Sequence, residues 1–139
     1  MCLLDSNVIS ELRRPRPQAA VVAWLCAVDD LHLFLSAVTI AETQAGVEIT
    51  RYQDEEKAAE IEAWLDLVAG SYNVLPMDAG CFRAWAKLMH GRSDTVYEDA
   101  MIAAMAKLHN LTVVTRNVGD FKSFAVKVLN PFKPAAEGG

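Results

Sequence analysis

Short apolar runs alternate along this chain with longer stretches in which apolar residues recur every three to four positions, the two periods that separate buried strands from amphipathic helices. Cys2-Leu3-Leu4 is the first run; it ends in Asp5, and the mixed stretch from Ser6 to Leu12 reads as a helix stopped by Pro15 and Pro17. Val21, Leu25 and Val28 stand at i, i+4 and i+7 in a second helix over residues 19–28, and Leu33-Phe34-Leu35 gives a second strand. Helical period then covers residues 39–51 and 55–68, the latter through Ile61, Trp64, Leu65 and Val68. Asn73-Val74-Leu75 predicts a third strand, and Asp78 is placed to cap a helix carrying Cys81, Phe82, Trp85, Leu88 and Met89. After a loop at 91–95, residues 99–109 are apolar on nearly every side and predict a centrally packed helix; 112–115 and 125–129 complete the strands.

Strands that alternate with helices imply right-handed crossovers and an α/β domain, its parallel sheet covered by helices on both faces. With 139 residues, 53% of them hydrophobic, the chain has material for one domain, expected over 1–133, with a small polar and disordered tail at 134–139. The longest uncharged apolar stretch, at 19–28, falls short of the roughly 20 residues that span a bilayer, so a soluble cytoplasmic protein is expected. Cys2, Cys26 and Cys81 are odd in number and far apart, as reduced core residues would be, and His32, His90 and His109 are equally scattered. No Cys/His metal site or Ser/His pair has recognisable spacing. A net charge of −5 argues against a protein that holds nucleic acid by phosphate neutralisation alone, but less against a nuclease whose metal ions supply the positive charge.

Chemistry is left to oxygen ligands. Open α/β sheets bind beyond the C-terminal ends of their strands, where Asp5, Asn117 and Asp120 are expected to gather. Glu42 has Val38, Ala45, Gly46 and Ile49 as helical neighbours, an apolar stripe that predicts an inward carboxylate. Asp99 similarly shares a face with Ile102, Ala103 and Ala106, and neither acid has Lys or Arg at i±3 or i±4. An unpaired buried carboxylate costs several kcal/mol, so each needs a donor, a cation or a proton. Helix capping is an alternative for Asp5 and Asp99, and an ordinary turn for Asn117 and Asp120; Glu42 has no capping role to fall back on. Arg13, Arg14 and Arg16 read as a solvated turn, and the Trp64/Leu65 stripe as core or dimer interface.

The stretch Leu3-Leu4-Asp5-Ser6-Asn7-Val8-Ile9-Ser10-Glu11 resembles the opening of PIN-domain toxins of the VapC/FitB type. Ser36-Ala37-Val38-Thr39-Ile40-Ala41-Glu42, Asp99-Ala100-Met101-Ile102-Ala103-Ala104-Met105-Ala106 and Val113-Val114-Thr115-Arg116-Asn117 with Asp120-Phe121 are similar to the family's three further segments, in order. Ser6 stands where the family usually has Thr, and Asn117 where many members have a fourth acid. The resemblance implies a PIN-like five-stranded parallel sheet, a homodimer and a Mg²⁺- or Mn²⁺-dependent ribonuclease toxin hydrolysing RNA phosphodiesters. It also implies a cognate antitoxin, expected to insert a basic residue into the acidic pocket. Asp5 and Asp99 would be metal ligands, Glu42 a ligand or water-positioner, and Asp120 or Asn117 the fourth position. Asn7 and Thr115 would shape the pocket, with Asn117 and Arg116 toward substrate.

Two rivals belong to other classes. A receiver-type phosphoacceptor switch would use Asp78 and Thr115, but it needs an adjacent acidic pair after the first strand and gives Glu42 no role. A PIN fold kept only for binding would have lost the chemistry, and the Asn at 117 leaves room for it.

Overall fold

The computed structural model describes residues 1–133, so the tail expected at 134–139 lies outside the described residues. Five parallel strands, β1 (Cys2–Leu4), β2 (Leu33–Ser36), β3 (Asn73–Leu75), β4 (Thr112–Val114) and β5 (Val128–Leu129), lie in the order β3-β2-β1-β4-β5. Six helices connect them: α1 (Ser6–Leu12), α2 (Ala19–Ala27), α3 (Ala37–Gln53), α4 (Glu55–Ser71), α5 (Ala79–Met89) and α6 (Tyr97–His109).

β1 is central because it is apolar on both sides. Alternation sends Leu3 to one face, where Val113, Ile102, Met105, Phe121 and Phe124 pack, and Leu4 to the other with Val8, Val21, Leu35, Val68 and Val114. The register Leu3↔Phe34 and Leu3↔Val113 keeps like faces together across the sheet. Each face thus has its own core under its own helices, as the pattern predicts.

Helix ends are set by short polar side chains. Ser36 caps α3 by accepting from Val38 N at 2.9 Å, Asp78 caps α5 through Cys81 N at 2.9 Å, and Asp54 stops α3 and starts α4. Asn110 ends α6 in the left-handed region at φ 55°.

Four expectations are corrected. The fifth strand is two residues, not five, because a 3₁₀ helix (Val118–Phe124) seats Phe121 and Phe124 in the core and leaves Ala125 at φ 56°, which no strand tolerates. The 91–95 loop runs into another 3₁₀ turn (Asp94–Val96), so α6 starts at Tyr97, and Asp99 lies inside its first turn instead of capping it. The stripe around Glu42 is not inward throughout: Val38 is buried, but Ala45 and Gly46 are exposed and Ile49 is 70% exposed, because α3 packs along α4 and the residue it buries there is Val47, off that stripe. Cys26 is exposed; Cys81 is buried, and all three cysteines are free thiols.

Candidate active site

Asp5 closes β1, and only 7% of it remains exposed. Its N–H donates to Val114 O at 2.9 Å, tying β1 to β4 at the sheet's C-terminal edge. One carboxylate oxygen accepts from Ser6 N at 2.8 Å, while the other accepts from Thr115 Oγ1 at 2.9 Å and from Asn7 Nδ2 at 3.3 Å. Asp5 is therefore a cap whose second carboxylate oxygen also makes it a candidate site acid. Asn7 also donates to Thr115 Oγ1 at 3.0 Å, and its own Oδ1 accepts from Arg116 N at 3.0 Å, which fixes the direction of its amide. Burial still pushes Asp5 above the usual carboxylate range; the hydrogen bonds oppose that shift and the charge of Asp120 adds to it.

Glu42 and Asp99 complete the cluster. Burial carries Glu42 to about 8, helped by the charge and hydrogen bond of Glu98 and then by Asp5 and Asp99. Asp99 is pushed up to about 6 by burial, then by Asp5, Asp120 and Glu98. No Lys or Arg stands among these neighbours to neutralise them. Asp120 belongs electrically to this group, since its charge reaches Asp5 and Asp99. Asn117 instead gives its backbone N–H to Thr115 Oγ1 at 3.0 Å.

Two glutamates escaped the sequence reading. Glu98 precedes Asp99 on an exposed first turn, and neighbours in a helix point about 100° apart, so one inward acid hides the next. Glu11, inside the opening motif, is 4% exposed, and accepts from Gln18 N at 3.0 Å and from Arg116 Nη2 at 3.4 Å. The Arg116 guanidinium, 3.9 Å from the Phe132 ring centre, is thereby engaged by the protein itself. Asp78, the residue the receiver reading requires, caps α5 and feels His109 instead of this cluster.

The donors suit a hard divalent cation: all are oxygens, they repel one another, and Thr39 Oγ1, one turn before Glu42, is buried without a hydrogen-bond partner among the described residues. Among the described residues, however, no three acidic, His or Cys side chains are gathered tightly enough to hold an ion as they stand.

Fold and site together define a doubly wound α/β domain with an uncompensated carboxylate cluster at its strand ends. Residues 2–127 match the PIN domain, and the chain belongs to the PIN-domain family. It is 38% identical over 140 residues to Toxin FitB of Neisseria gonorrhoeae, covering 95% of this chain and 99% of that one. It is 35% identical over 147 residues to VapC ribonuclease Y4jK of Sinorhizobium fredii, covering 97% and 100%. The crystal structure of FitAcB from Neisseria gonorrhoeae superposes with a TM-score of 0.81 at 36% identity, over 95% of this chain and 99% of that one. The expected family and fold are borne out, within the FitB- and VapC-type toxin branch.

Proposed function

We propose that this protein is a Mg²⁺- or Mn²⁺-dependent endoribonuclease toxin that hydrolyses RNA phosphodiester bonds and is held in check by a cognate antitoxin. One observation carries the reading: among acids brought from separate elements, Asp5 and Asp99 raise the proton affinity of Glu42, and Asp5 and Asp120 that of Asp99, with no Lys or Arg among the groups that shift them. Asp5 is buried and Glu42 and Asp99 are half-buried, and acids held there for structure alone are normally paired. Asp5, Glu42, Asp99 and Asp120 would hold the ion. When bound, it would act as a Lewis acid on the phosphodiester and favour deprotonation of the attacking water. Thr115 and Asn7 fix the direction of the Asp5 carboxylate, and Arg116, through its backbone N–H, fixes Asn7. The relatives named a toxin and a ribonuclease support the activity.

A chain toxic to its own cell needs a neutralising partner, and a concave anionic site suits an antitoxin arginine, which pairs with carboxylates bidentately and competes with the metal. A homodimer is supported by a cavity of about 380 Å³ between α3, α5 and α6, walled by Ala41, Ala45, Met77, Phe82, Tyr97 and Met101 and adjoining Glu42. Among the described residues no helix is long and apolar enough to cross a membrane; a cytoplasmic location is proposed with the function.

The test is cleavage of single-stranded RNA by the purified full chain. Cleavage in millimolar Mn²⁺ that stops in chelator is expected. An inert protein that still captures its antitoxin would leave the binding-only reading in place.

A further inference from the structure

We propose that a polar groove leading back from the carboxylate cluster between α1, α3 and α4 is a subsite for the single-stranded RNA, with Arg13 as a phosphate anchor and Trp64 as a surface on which a nucleobase stacks. The inference rests on the ribonuclease reading and deepens it. The groove encloses about 350 Å³ and shares Glu42 with the cluster. β1 and β2 are parallel neighbours, so α1 and α3 leave the same sheet edge. Ser6 and Glu42 therefore mark the end at the cluster, and Arg13 and Thr50 the far end, roughly 10 Å away by helical rise. Ser6 and Ser10 lie at i and i+4 along one face of α1, and Arg13, its C-cap residue, follows at i+7 with helical backbone. At Gly46 an added Cβ would meet nothing within 4 Å, so the α3 wall is open down to its backbone.

Two side chains supply recognition. Arg13 is exposed and in no ion pair among the described residues, whereas Arg14 and Arg116 are drawn to Glu11 and Arg51 to its own glutamates. An unpaired guanidinium among hydroxyls, in a chain of net charge −5, is a seat for an anion. Beside a site that handles one phosphodiester, the anion at hand is another phosphate of the same strand. Trp64 packs partly against the Leu33/Leu35 core, and the rest of it lines the groove. Cation, hydroxyls and one aromatic face are the means by which proteins bind single strands. A docking protein helix would need a continuous apolar stripe opposite it, which Ser6, Ser10, Thr43 and Thr50 interrupt.

The test is fluorescence anisotropy of a 5′-labelled single-stranded hexaribonucleotide titrated with the full chain in chelator, at several salt concentrations. Arg13→Ala should weaken binding about tenfold and flatten the dependence of log K on log salt by about 0.7, the loss of one phosphate contact on a single strand. Trp64→Leu should weaken binding about tenfold at unchanged slope, and Trp64→Phe should recover most of it. Should Trp64→Leu fail to fold, the surface residue Arg13 decides alone. Wild-type affinity and slope in Arg13→Ala would overturn the subsite. So would an Arg13→Ala protein that binds RNA normally but no longer forms its antitoxin complex, because the groove would then be a protein interface. A wild type that neither binds nor cleaves RNA would bring down the ribonuclease reading itself; one that cleaves while Arg13→Ala is unaltered brings down the subsite alone.

Discussion

Helix α3 carries two glutamates, Glu42 and Glu48, that behave in opposite ways. Toward its C-terminal end Arg51 sits among Glu48, Glu55 and Glu62, with an N–O distance of 3.0 Å to each, and Gln44 donates to Glu48 and Glu62 at 2.8 Å. Glu48 and Glu62 are held below the usual carboxylate range by the hydrogen bonds from Arg51 and Gln44, and the carboxylates keep contact with solvent around an Arg51 side chain that is 27% exposed. Less than two turns away, Glu42 is pushed up to about 8 by burial and by acids alone. The residue type, the helix and the net acidity of the surroundings are shared. What differs is burial first and a cation second, and an acid group that is partly buried with no Lys or Arg among the groups that shift it is a candidate for binding a cation.

The largest expected effect tests the uncompensated side. Asp99→Ala should lower RNA cleavage at least about 100-fold while leaving the metal-free fold as stable as wild type or more so, since it removes an acid that its neighbours repel. Loss of solubility together with activity would make Asp99 structural.

A smaller effect is expected at Glu11, a buried acid that does have its cation. Glu11→Ala should destabilise the protein by about 1–3 kcal/mol in urea unfolding, less than for a fully buried pair because half of the Arg116 side chain is exposed and can be hydrated. Unchanged stability would free Arg116 for the substrate role the sequence suggests. The smallest effect belongs to the solvated network: Arg51→Ala should leave cleavage unchanged and shift the thermal midpoint hardly at all. A large shift there would erase the contrast between the two regions.

Much of this was legible in the sequence, for identifiable reasons. Strand and helix periods are strong where burial is one-sided or complete, as in Leu3-Leu4 and residues 100–106. Asp5, Glu42 and Asp99 stood out because an acid among apolar neighbours needs explaining. Ile49 misled because an apolar residue on a helix is the same letter whether it faces the core or an open surface. The short β5 was hidden by Phe121 and Phe124, whose burial comes from a 3₁₀ helix that no simple period announces. Glu11 could not be recognised as buried until Arg116, more than a hundred residues on, was placed beside it.

The central claim, that Glu42 belongs to a like-charged cluster waiting for a metal, is tested most directly by comparing thermal melts of wild type and Glu42→Gln across pH, in chelator and with Mn²⁺. Glu42 has its raised value only in the folded state, so the folded protein holds a proton that the unfolded chain releases between the ordinary glutamate value of 4.5 and about 8. Metal-free wild type must then lose stability as pH rises through that window. Glutamine has no proton to lose, so the variant should fall less steeply and melt above wild type by about pH 9. Millimolar Mn²⁺ at that pH should reverse the order, because it stabilises the folded state that binds it better. Parallel pH profiles with equal shifts in Mn²⁺ would contradict the account.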